Sequence, residues 1–557
     1  MKELLAKYAS DPQAVKAIRV LFSTRESLLI TGCAGTGKTR LLGEVMPLLD
    51  KPYVFLAPTG LSALNSGAQT IHSFFRLPQR TFTPEDEDIP FSEELSELIE
   101  HLDLIIVDDV SLLRADLMNA MDLSLRKHTG SEAPFGGKQL LLVGDLYQAG
   151  PAEDLNGLYP SRFFFGAPAF SKGFRLHVIE LEQKDMNGDP EFLTLIEQVR
   201  KGKPDAAAVR NINTRVKGLM SAEEERECVQ VYFSALTADR INRERYERLP
   251  GADFPYPALE SGLFTDPATD TGCPADRLLK VKPGARVMFI QDDPDGRWYN
   301  GSAGAILDHG EDTIEVKLDD AEEPVVVYRS AWMTFEYVWD AAASLLSKKV
   351  TGKLEQFPLR IQWAENVKNT YGKHFSGCMI DPGTGAYVHG QAYLALSRCR
   401  SLEDIDLRSP LRAEDFIVDE SVNRFLASEL SVSRNDALWM QLMGEPGPDN
   451  TKELEELKAH NQALQESQID MRRAIENHRG EIFKKNENIK SLTAQIEELK
   501  KKAESVNGLH DSTRQEITIL EKKVRKKDRW INFLLIIQLV YFIAVLAWVL
   551  YQMYQQK

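Results

Sequence analysis

Hydrophobic and polar positions change their rhythm twice along the chain. Up to about residue 430, short apolar runs alternate with helically spaced ones. Ser27 to Thr31 (SLLIT), the run LDLIIVDD ending in Asp108 and Asp109, and QLLLVGDLYQ with Asp145 and Gln148 read as buried strands. Strands covered on both faces are near-continuous apolar runs, and this pattern predicts a mixed α/β region. From Leu454 to Val524 one heptad register runs without a skip. Its a positions include Leu454, Ile475, Ile482, Ile489, Ile496, Ile517 and Val524, and its d positions Leu457, Leu464, Met471, Leu492, Leu499, Val506 and Leu520. An apolar period of about 3.5 residues needs a partner helix, so a coiled coil is expected, with isoleucine at a and leucine at d favouring a parallel dimer. Asn461 and Gln468 at a, and His478 and Lys485 at d, weaken that seam.

The next stretch, INFLLIIQLVYFIAVLAWVLY from Ile531 to Tyr551, carries no charged residue. At about 1.5 Å per residue it spans about 30 Å, enough for a bilayer core, so a transmembrane helix is expected at 530–552. Lys522, Lys523, Arg525, Lys526, Lys527 and Arg529 precede it. The positive-inside rule keeps that side cytoplasmic, which predicts a single-pass, tail-anchored membrane protein with its globular part in the cytoplasm. The segment GEPGPDN, rich in residues that cannot extend a helix, marks a linker at 431–450, ahead of a coiled coil at 451–528.

Composition narrows the class without choosing the function. The 557 residues are 43% hydrophobic and 27% charged, with a net charge of −16. This excludes a fibre, a disulfide miniprotein and a wholly disordered chain, and the length asks for more than one core. An acidic total neither predicts nor forbids nucleic-acid binding, which depends on a local basic groove. The cysteines at 33, 228, 273, 378 and 399 are scattered, without metal-ligand spacing, and read as reduced thiols.

The strand SLLIT is followed by GCAGTGKT, Gly32 to Thr39, and then by the helical run RLLGEVMPLL. This is the phosphate-binding pattern G-x-x-x-x-G-K-[ST] in its strand–loop–helix setting. Backbone N–H groups of Gly32, Ala34, Gly35, Thr36 and Gly37 are expected to curl round phosphate oxygens of ATP. Lys38 reaches the β and γ phosphates, and the Thr39 hydroxyl holds Mg²⁺. Asp108, at the end of a second apolar strand, is the other candidate Mg²⁺ ligand, with Asp109 beside it to orient water. Asp145 and Gln148 come to the same sheet edge from the third strand, where ligand sites of open α/β sheets collect.

Together with APTGLSALNSGAQTIHSFF (57–75), GRWYNGSAGAIL (296–307), QFPLRIQWA (356–364) and GQAYLALSRCRS (390–401), these blocks resemble the PIF-like and RecD-like DNA helicases of superfamily one. The likeness runs over about residues 10–427. It implies two RecA-like domains, at 1–180 and 181–430, with ATP between them and single-stranded DNA across both, moved 5′ to 3′. A strand-separating wedge is implied at about 76–100 and a small SH3-like insertion at about 281–345. By position the resemblance makes Gln148 the γ-phosphate sensor, Arg398 the arginine that reaches ATP from the second domain, and Gln13 the adenine reader. Pro58, Thr59, His72, Phe74 and Phe75 become the DNA-side residues. Aromatic rings stack on bases regardless of sequence, although an FF pair is more often core.

Four departures from the family pattern touch the chemistry. Asp109 stands where the family has glutamate, a side chain shorter by one methylene. Met186 stands where an arginine would face the γ-phosphate. Asn366 to Gly372 (NVKNTYG) replaces a block that reads TIHKSQG, and AGP follows GDLYQ in place of LPP. Two principal readings follow: a membrane-anchored ATP-dependent helicase or translocase, or a degenerate helicase fold that binds ATP and acts as a membrane scaffold or sensor. A third is a coiled-coil membrane protein that uses the fold without nucleotide.

Overall fold

The computed structural model describes residues 1–435 apart from 152–154, 156, 172, 183–189, 218–228, 266–272 and 341–344, together with 518–520 and 522. Met186, nearly all of the expected coiled coil and the apolar run Ile531–Tyr551 lie outside the described residues. No helix among the described residues is long and apolar enough to cross a membrane.

The apolar runs of the first part become a six-stranded, wholly parallel sheet: β1 Ser27–Gly32, β2 Tyr53–Ala57, β3 Gln69–Thr70, β4 Leu104–Val107, β5 Gln139–Val143 and β6 Leu176–Leu181, in the order β3-β2-β4-β5-β1-β6. Side chains alternate between the faces, so each strand feeds two cores. Leu28, Ile30, Phe55, Ile106, Leu141 and Val143 pack with the helices Pro12–Ser23 and Lys38–Val45. Leu29, Val54, Leu56, Ile105, Val107 and Leu142 belong to a second, larger core on the other face. Burial on both faces is why these strands show no polar alternation in sequence.

A second parallel sheet, of four strands, is assembled from distant segments: Val229–Tyr232, Ala364–Asn366, Cys378–Asp381 and Ile405–Leu407. Between the first and second of these lies a five-stranded antiparallel sheet with its own core, in which Val287, Phe289, Ile306, Val316 and Phe357 are buried. It runs from Arg286 to Ile361, because its closing strand, Leu359–Ile361, comes back after a long hairpin. The insertion expected at about 281–345 does not include this closing strand, since a three-residue strand leaves no alternation to detect.

That hairpin, Ser330–Asp340 with Leu345–Gln356, reaches the first sheet. The Phe55 N–H donates to Tyr337 Oη at 3.0 Å, and the Tyr337 N–H donates to Gln69 Oε1 at 3.2 Å. Trp339 stacks on His101 with ring centroids 3.9 Å apart.

The acidic stretch within 76–100 is partly internal. Both Asp86 oxygens are taken by Arg80, at 2.5 and 2.9 Å, while Phe82 and Ile89 plug into the larger core. Fully buried Asp116 accepts from Arg114 Nε at 2.8 Å and from the Phe82 N–H at 3.1 Å. Glu85, Glu87 and Asp88 face solvent. The cysteines, scattered in sequence, are free where described, and Cys378 and Cys399 bring their sulfurs to 3.4 Å in the interior.

Phe74 and Phe75 are 4% and 0% exposed and meet edge to face at 4.8 Å, with Tyr337 against Phe74. Buried rings cannot stack on bases, so the DNA-side expectation for this pair is corrected: they are core. Phe75→Ala should therefore lower the unfolding free energy by about 3–5 kcal/mol in a urea titration, the cost of a large core deletion. A variant with unchanged stability and selectively weakened DNA binding would contradict the core assignment.

Candidate nucleotide and nucleic-acid site

The carboxyl ends of β1, β4 and β5 deliver three loops to one cleft of about 1560 Å³, whose walls come from the first sheet and from the segments around the second. After β1 the chain turns through Gly35 and Gly37, at φ of 80° and 83°, and Gly37 caps the helix Lys38–Val45. A Cβ at Gly37 would meet nothing within 4 Å, so its glycine answers to backbone conformation and not to crowding. Thr36 donates its hydroxyl to the Cys33 carbonyl at 3.0 Å and stiffens the turn. Thr39 lies exposed on the first helical turn. Lys38 Nζ donates to the carbonyls of Gly32 and Cys33, at 2.7 and 2.8 Å, and burial pushes its pKa down.

Asp108 is buried at the end of β4 and takes the Asp109 N–H on Oδ1 at 2.9 Å. Burial, with the neighbouring Asp109 charge second, pushes its carboxyl up to about 7. Asp109 has a φ of 50°, and its carboxylate hydrogen-bonds with Ser62 and Tyr371, while burial raises its pKa as well. Tyr371 occupies the altered block at 366–372, so the shortened acid is met by a long phenol from the second sheet's side. Gln148 is buried at the cleft wall, its N–H on the Asp145 carbonyl at 3.0 Å.

These residues fit a magnesium nucleotide. The turn presents open backbone, Lys38 has only neutral carbonyls to exchange for phosphate, and Asp108 is a buried carboxylate whose charge wants a cation. Thr39 and Asp108 would hold the metal, which neutralises phosphate charge.

Arg398 lines the cleft from the second sheet's side. It is 2% exposed, and all its donor groups stay within the second sheet's side: Nε on the Leu394 carbonyl at 3.0 Å, Nη1 on the Thr370 and Lys373 carbonyls at 3.1 Å each, and Nη2 on Ser397 Oγ at 2.9 Å. Neutral carbonyls offer this buried guanidinium the partners that water no longer does. Gln13 does not line the cleft. Its N–H is part of the Asp11 cap of its own helix. Of the DNA-side candidates, Pro58 is buried, Thr59 is exposed and caps the helix Gly60–Ser66, and His72 is half-buried.

Sequence reasoning missed a charged hub behind the turn. Asp145, 1% exposed, accepts from Arg200 Nε at 3.1 Å and from the Tyr393 hydroxyl at 2.8 Å. Arg200, equally buried, also binds Glu180 at 2.6 Å and lies over the Tyr147 ring at 4.7 Å. Arg200 sits in no motif, and only its spacing on an amphipathic helix could have suggested that it turns inward.

The raised Asp108 pKa has a stability consequence. Between the ordinary carboxylate range and about pH 7 the folded chain keeps a proton that the unfolded chain has lost. Stability is therefore greatest at the acidic end of that window and is lost as pH rises towards 7. Asp108→Asn should melt higher than the unsubstituted protein at pH 8 in metal-free buffer and show a flatter pH dependence from 5 to 8. Equal melting at pH 8 would mean that Asp108 carries no such burden.

Comparison with known proteins agrees with this geometry. Residues 9–210 match the PIF1-like helicase family. An ATP-dependent DNA helicase Pif1 of Bdellovibrio bacteriovorus is 27% identical over 423 residues, covering 74% of this chain and 91% of that protein. The human ATP-dependent DNA helicase PIF1 is 27% identical over 391 residues, covering 68% of this chain and 58% of its own length. Among solved structures, Bacteroides sp. Pif1 in complex with ADP-AlF4 superposes with a TM-score of 0.68 at 28% identity, over 75% of this chain and 97% of that one. Bacteroides Pif1 bound to ssDNA superposes with a TM-score of 0.54 at 27% identity, over 76% and 97%. With its parallel sheet, phosphate-binding turn and paired strand-end acids, the first part of the chain is similar to the PIF1-like helicases, whose family model it matches over residues 9–210.

Proposed function

We propose that the chain is an ATP-dependent DNA helicase or translocase that works on single-stranded DNA. The observation that carries this reading is the meeting of Lys38, Thr39, Asp108, Asp109 and Gln148 at one cleft that Arg398 also borders. The relatives named for ATP-dependent DNA helicase activity, and one solved bound to ssDNA, support it. Thr39 and Asp108 would hold a magnesium ion, which would supply charge neutralisation at the phosphates. Lys38 gives up the Gly32 and Cys33 carbonyls for phosphate oxygens. Asp109, held by Ser62 and Tyr371, orients the attacking water, and Gln148 contacts the end of the triphosphate. Arg398 completes the site only after exchanging its carbonyls for phosphate, and an arginine in that role is worth about 10³–10⁵ in rate. Exposed Thr59 and half-buried His72 are the DNA-side residues that this conformation leaves accessible. Strand polarity, 5′ to 3′, follows from the family resemblance.

The second part of the proposal concerns the segments outside the described residues and rests on sequence. Ile531–Tyr551 forms a membrane-spanning helix, and the basic cluster at 522–529 holds the globular part on the cytoplasmic side. The heptads between 454 and 524 pair two copies.

Phosphate release by the detergent-solubilised chain, with and without single-stranded DNA, tests the first part. Strong stimulation by DNA is expected, with a loss of at least about 10²-fold in Lys38→Ala. ATP binding without turnover would turn the reading into that of a nucleotide-binding scaffold. Removing residues 530–557 should move the protein from the membrane pellet to the supernatant. A truncated chain that still pellets with membranes would refute the anchor.

A further inference from the structure

The phosphate-binding turn is touched from the far side of the cleft. Tyr393 lies on the helix Gln391–Leu396, every residue of which is buried, and its side chain is 2% exposed. Its hydroxyl accepts the Ala34 N–H at 2.9 Å and donates to Asp145 Oδ2 at 2.8 Å, with Cys33 Sγ at 3.2 Å. A phenol has one proton, and the Asp145 carboxylate takes it, so Ala34 N–H and the Cys33 thiol can approach only the lone pairs. Burial lifts the Tyr393 pKa well above its ordinary value, so the hydroxyl remains a donor at every working pH. Asp145 is held in turn by Arg200, on both oxygens, at 3.1 and 3.3 Å.

The two ends of this short element touch opposite parts of the machinery. Arg398 follows the helix by two residues, and its Nε is bound to the carbonyl of Leu394, the residue next to Tyr393. On the other side, Lys38 holds the carbonyls of Gly32 and Cys33, the two residues just before Ala34. Lys38 turning to a phosphate would take the cation away from those carbonyls. The Gly32–Ala34 segment is the one the Tyr393 hydroxyl grips.

We propose that Tyr393 is a positioning residue that transmits the state of the phosphate-binding turn, through the helix Gln391–Leu396, to Arg398. The chain of contacts is Lys38, the Cys33 and Ala34 backbone, the Tyr393 hydroxyl and the Leu394 carbonyl. Asp145 and Arg200 form its fixed anchor, because an ion pair this deeply buried does not yield when the turn moves. The inference rests on the ATP-hydrolysing reading above and adds to it the link between ATP entry and the arginine.

Tyr393→Phe keeps the ring and removes only the link. In the full-length chain, DNA-stimulated kcat should fall about tenfold while the Kd for a fluorescent ADP analogue stays within about threefold. In an Arg398→Ala background the same substitution should cost less than about twofold further, since both changes then act on one step. A residue that merely held the fold together would lose binding and turnover in parallel, and its loss would add to that of Arg398→Ala. Tyr393→Met, which fills much of the same space without a hydroxyl, serves as the second variant if Tyr393→Phe fails to fold, with the same split between kcat and Kd expected. Additive losses, or a kcat within twofold of the unsubstituted chain, overturn the role of Tyr393 and leave the motor reading intact. An unsubstituted chain that hydrolyses no ATP with DNA present overturns both.

Discussion

Asp145 is a carboxylate with almost no solvent, at the end of the central strand β5, and the organisation of the cleft follows from the need to satisfy it. A buried anion is costly unless paired and fully hydrogen-bonded. Here the pairing recruits partners from remote parts of the sequence: Arg200 from the helix Pro190–Arg200, and Tyr393 from the helix that precedes Arg398. Each partner is then fixed by further contacts, Arg200 by Glu180 and Glu197, Tyr393 by the turn itself. One unsolvated charge thereby ties β5, β6, the phosphate-binding turn and the second sheet's side into one polar network.

The same logic accounts for the resting places of the two cations. Lys38 and Arg398 both donate hydrogen bonds to backbone carbonyls rather than to a carboxylate, which stabilises a cation without a direct ion pair to be broken later. Had either found a carboxylate, removal to a phosphate would mean breaking an ion pair in low dielectric, a far larger cost. Neutral partners keep both groups ordered and transferable. Arg200 is the contrasting case: it is held by three carboxylates and is built to stay.

How much was legible in sequence divides along physical lines. The first sheet could be read directly, because doubly covered parallel strands are uninterrupted apolar runs: SLLIT, LDLIIVDD and QLLLVGDLYQ each became a strand. The turn at Gly32–Thr39 was legible because its chemistry depends on neighbouring residues in a fixed order. What eluded reading was assembled from a distance. The second sheet draws on segments more than 170 residues apart, in strands of three or four residues too short to show a period. Phe74 and Phe75 could not be sorted into core or DNA platform by type, and only the packing of Tyr337 from the hairpin settles where those rings lie. Arg398 was identified by position, but its direction depends on carbonyls that no sequence pattern reports.

The departures from the family pattern also look different once they are in three dimensions. Read one at a time, an aspartate for glutamate at 109 and a tyrosine for glutamine at 371 are two losses. In the structure they face each other, and the phenol hydroxyl of Tyr371 reaches the carboxylate that stops one methylene short. Tyr371 comes from the second sheet's side, as Tyr393 does, so two tyrosines fasten opposite ends of the cleft to the same neighbouring body, one at the turn and one at the strand-end acids. The placing of Asp109 then depends on how the two sides stand to each other; if it orients water as proposed, displacements of about 1 Å there change rates by large factors. An acid held from one side alone would keep its place whatever the other side did. Held from both, by Ser62 and by Tyr371, its carboxylate keeps its place only while the two sides stand as they do here.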